Sequence, residues 1–373
     1  MNILSGMNGL RAIAALLVVI YHLNQHLPLG TLNALTVGIY QSIGHLSIMV
    51  SVFFMLSGFF RSLSYWKNID IPESIPQFFP SLKDRFFRIA PAYYIMLITS
   101  LIVTYIIQGY SSINFPALFS GFFFLSWISP DTLFPVLING PLWFISFDMI
   151  GWILTSLFMM GLCKIQKKYY SFYFIGIILL TLTLHNIWIH LPWSPSSGIS
   201  SIWFPAYNPF LFFLHFLFGI FAAGIVTWLR KKEQVVNISF DVITLATTGI
   251  ILIFLWSVRT QDDWGSIPDG PYHFPFITTM IAIIMICLPF TRYIGKLLDN
   301  SFFTFTAKIS YSLFLIHALI VVLLLEYIFK DPLMILTWIY FSITTLIISY
   351  LFAWLMYRYI ELPCIPQKIT PKK

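Results

Sequence analysis

Apolar runs of near-membrane length recur from one end of this sequence to the other, each closed by proline, glycine or charge. They fall near residues 9–27, 43–60, 89–107, 115–128, 141–162, 170–189, 204–228, 239–257, 274–290, 309–329 and 333–357. Most approach the roughly 20 apolar residues that a helix needs to cross a bilayer core. Apolar residues make up 58% of the 373 and charged ones 9%, whereas a soluble domain is about a quarter charged. A soluble globular enzyme, a disordered tail and a secreted disulfide scaffold are therefore excluded. The expected fold class is all-α, a polytopic membrane protein whose backbone groups are satisfied within each helix.

The distribution of basic residues decides how many runs cross. If all do, the Lys164/Lys167/Lys168 and Arg230-Lys231-Lys232 loops lie outside, against the positive-inside rule. If the short, Pro-flanked stretch 115–128 dips in without crossing, only Arg259 and Lys330 of the 21 Lys and Arg residues fall outside. The sequence thus predicts about ten transmembrane helices, one short re-entrant segment and both termini in the cytoplasm. The first run carries Arg11 at its start and lacks a small-x-small cleavage site, so it reads as an uncleaved span. Residues 1–373 read as a single membrane domain with no appended soluble domain. Outer loops at 190–203 and 259–273 hold Pro, Gly, Trp, Ser and Asp, suited to sugar contact or to an interfacial aromatic belt.

The net charge of +7 serves orientation rather than nucleic acid, since no basic run exceeds three residues. Cys163, Cys287 and Cys364 lie far apart, and the eight histidines show no HExxH spacing. No metal site and no disulfide framework are expected.

Ionisable groups at membrane depth are costly and mark candidate sites. Arg11 and His22 are eleven residues apart, which returns them to one helical face about 16–17 Å apart along the axis. A neutral imidazole there can take a proton from a hydroxyl, and the guanidinium offers a fixed fork for phosphate. An anchoring arginine and a histidine satisfied by a neighbouring helix fit the same spacing. Arg85 and Arg88 are three apart on one face and can clamp a phosphate together, or serve as an orientation anchor. Ser57 and Gly58 let a helix or a ligand approach the backbone closely. Asp148 is a lone acid that can orient the imidazole, pair with an arginine or make a structural hydrogen bond. His215 reads as a core histidine, while His317 and Glu326 fall on opposite faces of their run.

These residues sit in an ordered set of motifs. Asn8-Gly9-Leu10-Arg11 through Tyr21-His22 resembles the opening helix of the acyltransferase-3 family of membrane acyltransferases, a basic residue followed by ten others and a histidine. Phe53-Phe54-Met55-Leu56-Ser57-Gly58 is similar to its FFxxSG motif, and Arg85-Phe86-Phe87-Arg88 to its RxxR motif. Ile309 to His317 and Tyr359-Ile360-Glu361-Leu362-Pro363 resemble its late landmarks. Many members carry a Trp-Ser-Leu-x-x-Glu-Glu signature where this chain has Trp143-Phe144-Ile145-Ser146-Phe147-Asp148.

The resemblance implies transfer of an acyl group, most often acetyl, from cytoplasmic acetyl-CoA to a hydroxyl on the far side of a bacterial inner membrane. Acceptors in the family are glycans or lipid-linked sugars of lipopolysaccharide O-antigen, capsule, exopolysaccharide or peptidoglycan. Arg11, Arg85 and Arg88 would hold the donor, Ser57 and Gly58 would shape its acyl tunnel, and His22, with Asp148, would act in catalysis. A polytopic solute carrier or polysaccharide exporter is the alternative, against which the lack of an internal repeat counts.

Overall fold

The computed structural model describes residues 5–28, 34–71, 76–192, 204–205, 207–258, 271–330 and 333–365. Its regular elements are all helices. In chain order they are α1 (Met7–Asn24), α2 (Ala34–Gly44), α3 (Met49–Asn68), α4 (Phe78–Gln108), α5 (Phe115–Phe122) and α6 (Trp143–Leu162). There follow α7 (Tyr170–Ile189), α8 (Pro209–Lys231), α9 (Ile238–Ser257), α10 (Phe276–Cys287), α11 (Ile294–Leu298), α12 (Ser301–Leu324) and α13 (Ile335–Met356). Among the described residues nine helices are long and apolar enough to cross a membrane, and Phe276–Phe290 forms a shorter apolar one. That agrees with the expected polytopic bundle of about ten spans. The outer loops at 190–203 and 259–273 lie largely outside the described residues.

Local signals start several helices where the apolar runs begin. Asn114, Asn208, Asn237 and Asn300 each cap a helix by accepting a backbone N–H two or three residues on. Such caps satisfy donors that the first helical turn leaves without partners. The stretch 115–128 yields only α5, whose 8 residues extend about 12 Å, too short to cross. The Tyr93 and Tyr94 hydroxyls donate to the carbonyls of Gly121 and Phe122, tying this segment to α4.

The core is formed by α1, α3, α6, α8 and α12, with α3 packed along α8 and α12 against α1 and α13. Close approach of α3 and α8 depends on two glycines. A Cβ on Gly58 would strike the backbone of Phe216, and one on Gly219 that of Met55. By contrast α7 and α13 turn most of their apolar surface outward, as helices facing lipid do: 11% and 17% of their most apolar windows are buried, against 72% for α8.

Acids lock the ends of the helices. Asp299 accepts from the Ser5 hydroxyl and the Gly6 backbone N–H, which fixes the start of α1. Asp241 accepts three successive N–H groups at Arg292, Tyr293 and Ile294, where α11 begins.

Candidate active site

Two of the cavities among the described residues hold the candidate side chains. The larger, about 850 Å³, is lined by Arg11 of α1, Ser57 and Arg61 of α3, Arg85 and Arg88 of α4, and Asp148 of α6, with Asp84 at its edge. Four arginines against two aspartates leave this basic cavity with excess positive charge. The smaller, about 200 Å³, is lined by Tyr21, His22 and Gln25 of α1 together with Trp143, Tyr207 and Tyr272. Helix α1 runs through both walls, so the eleven-residue spacing places Arg11 in one cavity and His22 in the other.

In the basic cavity Arg85 forms an ion pair with Asp148, whose other oxygen accepts a 2.6 Å hydrogen bond from Ser57. The Arg85 Nε is buried without a partner. Arg11 donates from Nε to the Ser310 hydroxyl at 2.8 Å, and that hydroxyl is anchored in turn on the Ala307 carbonyl. Arg88 makes no ion pair among the described residues. The cavity therefore presents several guanidinium N–H groups carried by α1, α3 and α4, with Arg11 held by Ser310 of α12 and Arg85 by Asp148 of α6.

In the smaller cavity the His22 Nδ1 lies 3.1 Å from Gln25 Oε1. With the amide oxygen accepting, the proton sits on Nδ1 and Nε2 keeps its lone pair. The His22 ring lies 5.0 Å, centre to centre, from the ring of His317. His317 is fully buried and donates from Nδ1 to the Leu313 carbonyl, leaving its Nε2 without a partner. Trp338 donates to the Leu23 carbonyl and so pins α13 to the end of α1 beside His22.

The sequence-derived candidates divide between these places. Arg11, Arg85, Arg88 and Ser57 gather in the basic cavity. Of the roles open to Asp148, it takes two, pairing with an arginine and making a hydrogen bond with Ser57, and it does not line the His22 cavity. Gly58 lines neither cavity, since its missing side chain serves the α3–α8 contact. His215 is a fully buried core residue bonded to the Leu211 carbonyl.

Two residues went unassigned in the sequence. Arg61 counts there only among the basic residues on the inner side, but it sits one turn after Ser57, clasped by Ser156, Tyr65 and the face of Trp152. His317 reads as part of a late motif, yet it touches His22 across 295 positions of sequence. The available signal was its location, an imidazole at the centre of an apolar run. Among the described residues no group of His, Cys, Asp or Glu is arranged to hold a metal.

The bundle thus holds a basic cavity and a histidine cavity along one helix. Residues 4–357 match the profile of the acyltransferase-3 family, described as an acyltransferase domain, and the chain belongs to that family. Relatives from Staphylococcus aureus strains COL, MSSA476 and MRSA252 bear the provisional name O-acetyltransferase. Each is 25% identical over 380 residues, covering 97% of this chain and 57% of the relative. The chain thus spans a little over half the length of the curated relatives it matches. No solved structure matches it significantly.

Proposed function

We propose that this protein transfers an acetyl group from acetyl-CoA, held in the basic cavity at the cytoplasmic face, to a hydroxyl of a cell-surface glycan presented in the histidine cavity. The stacking of the two cavities along α1 supports this reading most directly, because donor and acceptor would meet without either leaving its own side of a bacterial inner membrane. The guanidinium groups of Arg11, Arg85 and Arg88 would bind the donor phosphates by charge-assisted hydrogen bonds. Tyr21, Trp143, Tyr207 and Tyr272 offer flat apolar faces with polar tips, a lining suited to a sugar of O-antigen, capsule or exopolysaccharide.

In the proposed chemistry the lone pair on His22 Nε2 takes the proton from the acceptor hydroxyl. The oxygen attacks the thioester carbonyl, a C–O bond forms and the C–S bond breaks. The departing thiolate then recovers the proton from the imidazolium. Gln25 holds the imidazole in the required tautomer, and Asp148 positions Arg85 and Ser57 rather than the base.

The test compares surface glycans from cells expressing wild type and His22→Ala by mass spectrometry, with labelled acetyl-CoA consumption measured in membranes. An acetyl increment confined to wild type is expected. Glycan acetylation retained by an inserted His22→Ala protein would overturn the role of His22. Failure of wild type to consume acetyl-CoA would overturn the donor.

A further inference from the structure

The two cavities are separated by the thickness of one side chain. Phe314 of α12 lines both. On α3 the wall passes from Val50, in the histidine cavity, to Phe53, in the basic cavity, within one helical turn. On α6 it passes from Trp143 to the adjacent Phe144. The Phe314 ring packs edge-on to Phe53 at 5.8 Å and lies 4.9 Å from Phe144 and 5.9 Å from His317. These three phenylalanines form an aromatic partition between the arginines and the histidines.

We propose that Phe314 is the gate of this partition and sets the size of the acyl group that can pass from the donor cavity to His22. The proposal rests on the acyl-transfer reading above. Protein interiors hold few voids larger than a water molecule, so a thioester carbonyl reaches His22 only when a partition ring moves. The backbone behind Phe314 is held: Asn139, fully buried, donates to the Leu315 carbonyl and to the Ser100 hydroxyl. Opening is therefore a rotation of the Phe314 side chain rather than a shift of α12. Phe53 and Phe144 each face one cavity only, which makes Phe314 the ring whose rotation joins the two. A displaced ring admits a two-carbon acyl group, while each added methylene must find space among Phe53, Phe144 and His317.

The experiment measures transfer from acetyl-, propionyl- and butyryl-CoA by membranes containing wild type, F314A, F314L and F314W, with membrane insertion quantified for each. Wild type should prefer acetyl. In F314A and F314L the butyryl-to-acetyl rate ratio should rise by roughly tenfold or more, the scale on which a pocket discriminates single methylenes. F314W should lower the propionyl-to-acetyl ratio. Unchanged ratios in the inserted variants, or loss of transfer from all donors in both F314A and F314L, would overturn the gate while leaving the acetyltransferase reading intact. If wild type transfers no acyl group from any donor, the acetyltransferase reading falls, and the gate falls with it.

Discussion

The imidazoles of His22 and His317 lie side by side, 5.0 Å between ring centres, although one belongs to the first helix and the other to the penultimate long one. His317 Nε2 is buried without a hydrogen-bond partner, and unlike His215 it lies beside the imidazole proposed as the base. Replacing His317 with alanine should lower kcat by about a hundredfold, the scale of lost proton-transfer assistance. The KM for acetyl-CoA should stay near its wild-type value, because the arginines are in the other cavity. Steady-state kinetics in membranes separates the two constants, and a rise in KM with unchanged kcat would refute the assignment.

Arg88 is the least encumbered of the cavity arginines. Arg88→Ala should raise the KM for acetyl-CoA by about ten- to a hundredfold, as expected for hydrogen bonds to a charged partner, with little change in kcat. The effect should shrink in high salt if Arg88 meets its phosphate near solvent.

Asp148 is buried between Arg85 and Ser57. Asp148→Asn keeps the hydrogen-bond geometry but strands the arginine charge, at a cost of roughly 3 kcal/mol. Thermal unfolding in detergent should show the loss. Asp148→Asn combined with Arg85→Met should recover part of it, since contacting residues are not additive.

Gly58→Ala should destabilise the bundle by about 1–3 kcal/mol through forced overpacking of α3 on α8. Gly176, where a Cβ meets nothing within 4 Å, provides the comparison: Gly176→Ala should leave the unfolding temperature nearly unchanged.

Asp70 binds Lys167 and Lys231 from two other segments, at 2.5 and 2.9 Å. Hydrogen bonding from Lys167, then from Lys231, holds its carboxyl below the usual carboxylate range. A carboxylate so lowered contributes stability above its unfolded value of about 3.9, and loses it as pH falls through the lower folded value. Wild type should unfold at a higher temperature than Asp70→Asn at neutral pH. The two should converge in strong acid, and the difference should shrink with salt because the cluster is exposed.

Much of this architecture is legible in the chain itself. Apolar runs closed by proline, glycine or charge place most long helices within a few residues, since a bilayer requires each span to satisfy its own backbone. The non-crossing character of 115–128 follows from its short length, flanking prolines and the bias of basic residues. Helical periodicity alone puts Arg11 and His22 on one face, because both belong to one rigid element.

Relations between helices are different in kind, because they depend on packing that no local pattern encodes. Gly58 reads as helix contact more readily than as tunnel lining, and it is the approach of the Phe216 backbone that makes the contact. Asp148 had three roles open to it, and the approach of α3 and α4 to α6 gives it Ser57 and Arg85. His317 and Arg61 acquire their neighbours through the folding of α12 onto α1 and of α6 onto α3. The sequence by itself determined a helical membrane acyltransferase with a basic residue and a histidine on one helix. Tertiary packing alone decided that these residues open into two cavities, and that one phenylalanine ring stands between them.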